Sequence, residues 1–307
     1  MMTAVANVGV VGLGNIGGAI ATNLVADGHT VTVFDLDDVR VKAVEGATPA
    51  PSIGELAKAV DVTLTSLPDP AAVTAVATEW AAAAPKGAVL CDLSTTLPES
   101  NQAIAAQLAA SGHHFIEAPL SGGHVGAVNR GLVFMIGGDD ADAVAAVMPL
   151  FEKLGRATLH LGPVGAGTTM KLATSLMAFS GAVAALEAMA LTTKAGIDVR
   201  TASDVVKLAG PSNYFLDRAI EGINTRGKPT EFALRLAAKD ARLIGEMGDA
   251  YGVPSAAAAA VFEFLNDAVE RGLGDNDWGD LVIAAEQRGN VELNIPPKPP
   301  SNDEVAE

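Results

Sequence analysis

The 307-residue chain has little cysteine, few aromatic residues and few bases. Its single cysteine, Cys91, excludes an intrachain disulfide and any zinc site that needs two or more thiolates, and it indicates a reducing, cytoplasmic location. The five histidines have no Asp or Glu partner at ligand spacing, so we predict no metal site. A chain of this length can bury a stable core without such cross-links.

Positive charge is scarce, because 20 Lys and Arg stand against 36 Asp and Glu, for a net charge of −16. Binding to nucleic acid is driven by counterion release from Lys and Arg contacts with phosphates, so this balance excludes nucleic acid as a partner. The first residues also show no basic segment followed by a long apolar core, and we expect no secretory signal.

One stretch with little charge, residues 172–191, is about as long as a membrane span and carries Glu187 as its only charge. Its Ala, Ser, Thr and Gly content suits close packing on other helices. We therefore predict a buried central helix and no membrane partner.

The first half of the chain alternates short β-branched runs with Ala-rich helical stretches, which is typical of a doubly wound parallel sheet. Strands are predicted over 7–11, 30–34, 62–66, 88–92, 114–117 and 132–136. Helices are predicted between them over 16–27, 53–59, 71–84 and 98–111. The fold class of this half is α/β.

The second half reads as helices only, predicted over 168–195, 199–208, 213–220, 234–251, 255–271 and 280–288. The Gly/Pro cluster at 162–167 is typical of a hinge. We therefore predict an α/β domain over 1–162, a hinge and long central helix over 163–195, an all-α domain over 196–290 and a flexible Pro-rich, acidic tail over 291–307.

The first predicted strand runs directly into a G-x-G-x-x-G segment that opens a helix: Gly12-Leu13-Gly14-Asn15-Ile16-Gly17. In this context Gly12 permits the tight turn, Gly14 lets the backbone approach a pyrophosphate, and Gly17 lets the helix pack on the strand. The helix N-terminus adds N–H groups and positive potential. The segment predicts a Rossmann-type dinucleotide-binding domain; a turn without a ligand is the alternative.

An acidic residue, Asp35, ends the second predicted strand, where the ribose-binding acid belongs. Its carboxylate accepts hydrogen bonds from ribose hydroxyls and repels a 2′-phosphate, which favours NAD over NADP. Arg40 is the nearby counter-argument, and FAD is the remaining competitor. The NAD-binding domain is thus assigned to residues 1–162.

Polar loops follow two further strands of the predicted sheet. Leu67 and Pro68 follow one, and Thr95 follows the next. Ligands of open α/β sheets bind beyond the carboxyl ends of the strands, so these three residues are predicted to line the cofactor near the nicotinamide ribose. Ordinary turn and helix-cap chemistry explains each of them equally well.

Two later segments complete a pattern: Glu117-Ala118-Pro119-Leu120-Ser121-Gly122-Gly123 and Gly165-Ala166-Gly167-Thr168-Thr169-Met170-Lys171. Together with the glycine-rich turn, with Lys239-Asp240 and with Gly274-Asp275-Asn276-Asp277, they make the sequence resemble the β-hydroxyacid dehydrogenase family, up to about Gln287. Its members include 3-hydroxyisobutyrate and tartronate semialdehyde dehydrogenases, and their NAD-binding domain is of the 6-phosphogluconate dehydrogenase type. The resemblance implies a small hydroxy acid as substrate. The nearly uncharged long helix is expected to leave apolar surface that one small helical domain does not cover, so we predict a homodimer or homotetramer.

Ser121, Gly122 and Gly123 offer one hydroxyl and consecutive N–H groups unhindered by Cβ atoms, which suits a carboxylate. A glycine turn is the alternative, and the resemblance implies binding of the substrate carboxylate. The next residue, His124, is interpreted as a solvent-facing loop histidine.

Lys171 begins a helix with almost no other charge, so it is expected to be desolvated or to face a ligand. Desolvation and a nearby nicotinium cation would lower its pKa from about 10.4 toward roughly 7 or 8. Neutral Lys171 would then take the hydroxyl proton of the substrate while the carbinol hydrogen leaves as hydride, a role that the resemblance supports. A lysine snorkelling to solvent is the alternative.

Ser175, one turn after Lys171, stands where the family usually has Asn, and its shorter side chain puts the substrate geometry in doubt. The resemblance implies that Lys239 contacts cofactor or substrate. Its alternative is an exposed lysine paired with Asp240.

Three functions remain open at this point. The preferred one is an NAD-dependent dehydrogenase of small 3-hydroxy acids, since 4% aromatic residues favour a small polar substrate. The second is a reductase of a small aldehyde acid, such as tartronate semialdehyde, or of a sulfonate-bearing aldehyde. The third is a non-catalytic, cofactor-binding oligomeric protein. Imine reductases share this fold but typically replace the lysine, so Lys171 argues against that activity.

Overall fold

The computed structural model of the chain describes residues 7–297. The chain forms two compact units. Within the described residues, the first comprises residues 7–174 and Leu243–Pro254, and the second comprises Ser175–Arg242 and residues 255–297. The division falls inside the long central helix, whereas the sequence predicts a hinge at 162–167; the predicted domain boundaries stay predictions.

Within the described residues, a nine-stranded sheet forms the centre of the first unit. Its strands are β1 (Asn7–Val11), β2 (Thr30–Phe34), β3 (Thr48–Pro49), β4 (Val62–Thr65), β5 (Val89–Asp92), β6 (His114–Glu117), β7 (Leu120–Ser121), β8 (Leu132–Gly137) and β9 (Gly155–Gly162). The order is β3-β2-β1-β4-β5-β6-β8-β7, with β9 also paired to β8. Strands β3 to β6 in this order pair in parallel, so their carboxyl ends meet at one edge.

The sequence pattern predicts a parallel sheet, but the observed sheet is mixed. β8 pairs antiparallel with β6 and β7 and parallel with β9. The hairpin-like return from β7 to β8 is made by a short helix, too short for a parallel crossover, which needs about a dozen residues or more.

Helices cover both faces of this sheet, which confirms the doubly wound architecture. They are α1 (Asn15–Ala26), α2 (Asp38–Ala43), α3 (Ile53–Ala59), α4 (Pro70–Ala81), α5 (Pro98–Ala110), α6 (Gly123–Val128) and α7 (Ala141–Leu154). One apolar cluster packs α1 and α7 on one face, and another packs α3, α4 and α5 on the other. Asp69, Ser52 and Asp140 cap α4, α3 and α7 by accepting first-turn N–H groups, which fixes where these helices begin.

The central helix, α8, spans Ala166–Lys194. It is the one helix in the described chain that is long and apolar enough to cross a membrane by length and composition, with a mean hydropathy of 1.5 in its most apolar window. A third of that window is buried, so the helix is less buried within one chain than the sequence predicts. Leu172 and Met189 are fully buried, whereas Met177 and Leu191 are 73% exposed.

The rest of the described chain is helical, as predicted. The helices are α9 (Val199–Ala209), α10 (Tyr214–Asn224), α11 (Leu234–Ala250), α12 (Ala256–Ala268) and α13 (Leu281–Gly289). In the second unit, buried Asp277 accepts the backbone N–H groups of Glu231, Phe232 and Gly279 and pairs with Lys228 Nζ at 3.3 Å. This carboxylate therefore ties the loop before α11 to the loop before α13.

The predicted flexible tail, residues 291–307, needs correction in its first part; residues 298–307 lie outside the described residues. Leu293 is fully buried. Its backbone N–H donates to Glu286 at 2.7 Å, and its carbonyl accepts from Arg226. Arg200 also donates to the Pro296 carbonyl at 2.8 Å. This proline-rich segment packs on the unit because arginine side chains donate to its carbonyl groups and because Leu293 is buried.

Candidate active site

The glycine-rich turn after β1 uses each of its glycines for a different steric reason. Gly12 has a φ of +87°, and a Cβ there would overlap the Ser66 carbonyl oxygen. A Cβ on Gly17 would overlap the Gly12 carbonyl oxygen, so this glycine lets α1 approach the strand. A Cβ on Gly14 would meet no protein atom within 4 Å. The turn is closed on the protein side and open beside Gly14, as a dinucleotide pyrophosphate requires.

Gly14 is also the N-cap residue of α1, and it has no side chain with which to cap the helix. No acidic residue lies in the first turn of α1. The helix N-terminus therefore presents backbone N–H groups and positive potential to an anion at the open side of the turn. Leu13 is buried beneath it, at 4% exposure.

Asp35 follows β2 and is braced from both sides. One carboxylate oxygen accepts the Leu13 backbone N–H at 2.6 Å, and the other accepts the Asp37 N–H at 2.9 Å. Its side chain is 9% exposed, and the Arg40 guanidinium lies 3.8 Å away. The carboxylate is thus held directly beside the glycine-rich turn, where the ribose-binding acid was predicted.

The loops after β4 and β5 are joined by a buried aspartate that the sequence interpretation did not single out. Asp92 accepts hydrogen bonds from the hydroxyls of Thr65 and Ser94, both at 2.6 Å. Ser94 in turn accepts the Leu67 backbone N–H at 2.9 Å. Burial raises the pKa of Asp92 to about 6, although hydrogen bonds from Ser94 and Thr65 oppose the shift. Asp92 therefore sets the positions of both loops that carry the predicted cofactor residues Leu67, Pro68 and Thr95.

The predicted anion segment, Ser121 to Gly123, bends at two glycines with positive φ, +130° at Gly122 and +61° at Gly123. Glycine adopts these angles at no steric cost. Ser121 is exposed, and a Cβ on Gly123 would meet no atom within 4 Å. The segment therefore has the open backbone that a carboxylate ligand requires.

His124 is not the solvent-facing loop residue that the sequence suggests. It is half-buried, and its Nδ1 lies 3.0 Å from the backbone carbonyl oxygen of Asn15, the first residue of α1. This contact spans 109 residues of sequence and places the Ser121 to Gly123 segment next to the glycine-rich turn. The predicted substrate-anion and pyrophosphate sites are therefore neighbours within the first unit.

Lys171 lies in the second turn of α8, in the part of that helix that belongs to the first unit. Its side chain is half-buried. The start of α8 is fixed by a fully buried carboxylate, Glu117 at the end of β6, which accepts the backbone N–H groups of Gly165 at 2.8 Å and Thr168 at 3.1 Å. Lys171 follows this anchored turn by three residues.

The second unit holds the other two predicted site residues. Ser175 is 4% exposed on α8, four residues after Lys171, a spacing that puts both on one side of a helix. Lys239 is on α11, and its Nζ lies 2.9 Å from Asp240 Oδ1; the two side chains are 15% and 5% exposed. Lys239 is therefore ion-paired with Asp240, as the alternative interpretation expects, but it is half-buried rather than exposed.

No group of three or more His, Cys, Asp or Glu side chains between residues 7 and 297 is placed to hold a metal ion. The sequence interpretation assigned no structural role to the buried residues Asp92, Thr96 and Asn101, and it named Glu117 and Thr168 only as members of longer segments. One signal was available: Asp92 and Glu117 are acids that directly end apolar strands, where an ionisable group is buried only for a reason.

Together, the doubly wound sheet, the open glycine-rich turn and the braced Asp35 define a class of protein, the nicotinamide-dinucleotide-dependent oxidoreductases. A family model described as the NAD binding domain of 6-phosphogluconate dehydrogenase matches residues 7–162. A second, described as the NAD-binding of NADP-dependent 3-hydroxyisobutyrate dehydrogenase, matches residues 165–284. The chain belongs to the β-hydroxyacid dehydrogenase family.

Characterised relatives extend over most of the chain. The mitochondrial 3-hydroxyisobutyrate dehydrogenase of Drosophila melanogaster is 30% identical, over 89% of this chain and 87% of that one. Glyoxylate/succinic semialdehyde reductase 1 of Arabidopsis thaliana is 31% identical, over 91% and 98%. The structure of Mycobacterium tuberculosis 3-hydroxyisobutyrate dehydrogenase with L-serine matches with a TM-score of 0.82 at 25% identity, over 92% and 99%.

Proposed function

We propose that this protein is an NAD-dependent dehydrogenase of a small 3-hydroxy acid in which Lys171 is the general acid and base. The observation that carries the proposal is that three structural features occur together in the first unit. It holds the open glycine-rich turn, the neighbouring Ser121 to Gly123 segment and the anchored turn of α8 before Lys171. A dinucleotide, a carboxylate and a proton-transfer group are the three requirements of hydroxy-acid oxidation.

The residues of the proposed site have separate roles in this reaction. The Ser121 hydroxyl and the N–H groups of Gly122 and Gly123 bind the substrate carboxylate. Neutral Lys171 accepts the hydroxyl proton as the alcohol becomes a carbonyl, and its ammonium returns that proton in the reverse direction. The bound dinucleotide supplies the hydride acceptor. Ser175 and Lys239 are proposed to contact the substrate, and Lys239 also the cofactor.

The preference for NAD rests on Asp35. A braced carboxylate at 9% exposure repels a 2′-phosphate and cannot turn away from it without losing its bonds to Leu13 and Asp37. Arg40 is the group that would favour NADP, but its guanidinium is near both Asp35 and Asp37, which offset its charge. The match to a family description that names NADP covers residues 165–284 and does not include Asp35.

Reduction of a small aldehyde acid is the second candidate. It uses the same residues in reverse, and it is favoured by the name of the Arabidopsis relative, a glyoxylate/succinic semialdehyde reductase. A sulfonate in place of the carboxylate would satisfy the same hydroxyl and N–H donors.

We also propose a cytoplasmic homodimer or homotetramer. The exposed Met177 and Leu191 of α8, with Leu208 of α9 at 89% exposure, support an apolar contact surface. Sedimentation of the purified protein tests the oligomeric state.

A substrate panel tests the function. The protein is mixed with NAD or NADP and a series of small 3-hydroxy acids, and with NADH and the matching aldehyde acids, while nicotinamide absorbance is followed. We expect turnover of at least one pair, with NAD favoured. Cofactor binding without turnover of any acid or aldehyde would instead support the non-catalytic oligomeric protein.

A further inference from the structure

A cluster of four fully buried polar side chains lies at the junction of β6, α5 and α8 in the first unit. Its members are Thr96, Asn101, Glu117 and Thr168, each with no solvent exposure. Burying a polar side chain is unfavourable unless it is hydrogen-bonded, and burying a carboxylate more so. Here each of the four side chains is hydrogen-bonded to another member of the cluster, which offsets this cost.

Glu117 is the centre of the cluster because it accepts four hydrogen bonds. Oε1 accepts the backbone N–H groups of Gly165 and Thr168, at 2.8 and 3.1 Å. Oε2 accepts from Asn101 Nδ2 at 2.7 Å and from the Thr168 hydroxyl at 2.8 Å. Asn101 in turn accepts the Thr96 hydroxyl at 2.9 Å and donates to Thr168.

The two backbone donors identify the role of Glu117. Gly165 immediately precedes α8 and Thr168 is its third residue, so these are the N–H groups that a capping box satisfies with local side chains. Gly165 has no side chain, and a carboxylate from β6 supplies both bonds instead. Glycine at 137 makes room for this carboxylate, since a Cβ there would lie 2.5 Å from Oε1. The cap therefore fixes the start of α8 against the sheet.

Three parts of the proposed active site connect to this cap. Lys171 follows Thr168 by about one helical turn, Ser121 follows Glu117 by four residues, and Thr96 directly follows Thr95. We propose that Glu117 is a positioning residue for hydride transfer, holding the Lys171 helix in register with the substrate-anion segment and the Thr95 loop. This inference rests on the proposed function and adds a residue to it.

The variant that tests the inference is Glu117→Gln, because it keeps the shape of the side chain but replaces the carboxylate with a neutral amide, whose oxygen accepts the two backbone bonds more weakly. Its amide nitrogen would meet two donors, Asn101 Nδ2 and the Thr168 hydroxyl, and the start of α8 would shift. We expect kcat to fall about 10- to 100-fold, as small displacements of catalytic groups do, with Kd for NAD within about threefold of wild type. Thr168→Val should reduce kcat less, and Thr168→Ser, which keeps the hydroxyl, should restore most of it.

A matched control separates positioning from general destabilisation. Ser52 caps α3 by accepting the Glu55 N–H at 3.1 Å, so Ser52→Ala removes a helix cap in the same unit and should leave kcat unchanged. Hydrogen exchange of the Gly165 and Thr168 amides gives a readout independent of activity, and we expect at least tenfold faster exchange in Glu117→Gln. Unchanged kcat in Glu117→Gln, or unchanged exchange, would overturn the inference. An inactive wild-type protein would refute the proposed function instead, and the exchange rates would still decide whether Glu117 holds α8.

Discussion

The Asp35 carboxylate accepts the backbone N–H of Leu13 at 2.6 Å, so the acid that we propose to select the cofactor also braces the glycine-rich turn. A substitution at Asp35 therefore changes two properties at once, the recognition of ribose and the shape of the turn. Asn and Ser separate them, because Asn can still accept the Leu13 bond whereas Ser is too short to do so.

Asp35→Ser should reduce kcat/KM with NAD by about 10- to 100-fold, because hydrogen bonds to a charged group contribute roughly 1.5–3 kcal/mol. It should also raise the ratio of NADP to NAD activity, since a 2′-phosphate is no longer repelled. Asp35→Asn should raise that ratio with a smaller loss of thermal stability. Steady-state kinetics with both cofactors and a melting curve check these expectations. A wild-type preference for NADP, lost in Arg40→Ala, would refute our assignment.

Gly14 and Gly17 should respond to alanine in opposite ways. A Cβ on Gly14 meets no protein atom within 4 Å and its φ is −64°, so Gly14→Ala should fold with nearly unchanged melting temperature. The methyl group occupies the side where the pyrophosphate approaches, and Kd for NAD should rise about tenfold or more. A Cβ on Gly17 overlaps the Gly12 carbonyl, so Gly17→Ala should be destabilised by about 1–3 kcal/mol. Tight NAD binding by Gly14→Ala would mean that the dinucleotide lies elsewhere.

The strands that the sequence predicts are those with enough consecutive buried apolar residues to show a pattern. β1, β2 and β6 have the predicted bounds, and β4, β5 and β8 differ from them by one residue at one end. β3 and β7 have two residues each, too few for any periodicity. β9 is not predicted, because all eight of its residues are exposed or half-buried and it lacks the apolar run of a central strand.

The same reasoning explains which site residues could be predicted. The glycine-rich turn is a local motif that is recognisable from six consecutive residues and from Asp35, the acid that follows the next strand. The cap on α8 is not local, since Glu117 meets Asn101, Gly165 and Thr168 across 16, 48 and 51 residues. The contact of His124 with Asn15 also depends on how α6 packs on α1. Such pairs have no sequence spacing from which they could be inferred.

Lys171→Ala should lower kcat by about 100- to 10,000-fold while NAD still binds, because general acid–base catalysis contributes that much. Lys171 does not belong to the glycine-rich turn or to Asp35, which are the residues proposed to bind the dinucleotide. The Kd for NAD should therefore change little. Lys58→Ala is the control, since Lys58 is an exposed lysine of the same unit, ion-paired with Glu55 at 2.7 Å. Single-turnover absorbance and isothermal titration measure the two effects, and undiminished turnover would exclude Lys171 as the base.

Asp92 should make the stability of the protein depend on pH between about 4 and 6. Its folded-state pKa of about 6 lies above the ordinary value of 3.8, so the folded state binds the proton more tightly in this interval. Stability is therefore greatest below this range and decreases as the pH rises through it, by about 3 kcal/mol in all. Asp92→Asn cannot ionise, but its amide oxygen can still accept from Thr65 and Ser94, so its unfolding free energy should decrease less over the same range.

Asp277 provides the control for this measurement, because its pKa is shifted the other way. Burial alone would raise it, but the N–H groups of Gly279, Glu231 and Phe232 and the charge of Lys228 outweigh burial, and the pKa of Asp277 lies below 3.8. Its contribution is present above pH 3.8 and is lost only in stronger acid, so Asp277→Asn should keep the wild-type slope between pH 4 and 6. Urea unfolding of the three proteins at pH 4.5, 5.5, 6.5 and 7.5 measures these slopes. If Asp92→Asn retains the wild-type slope, a different group is responsible for it.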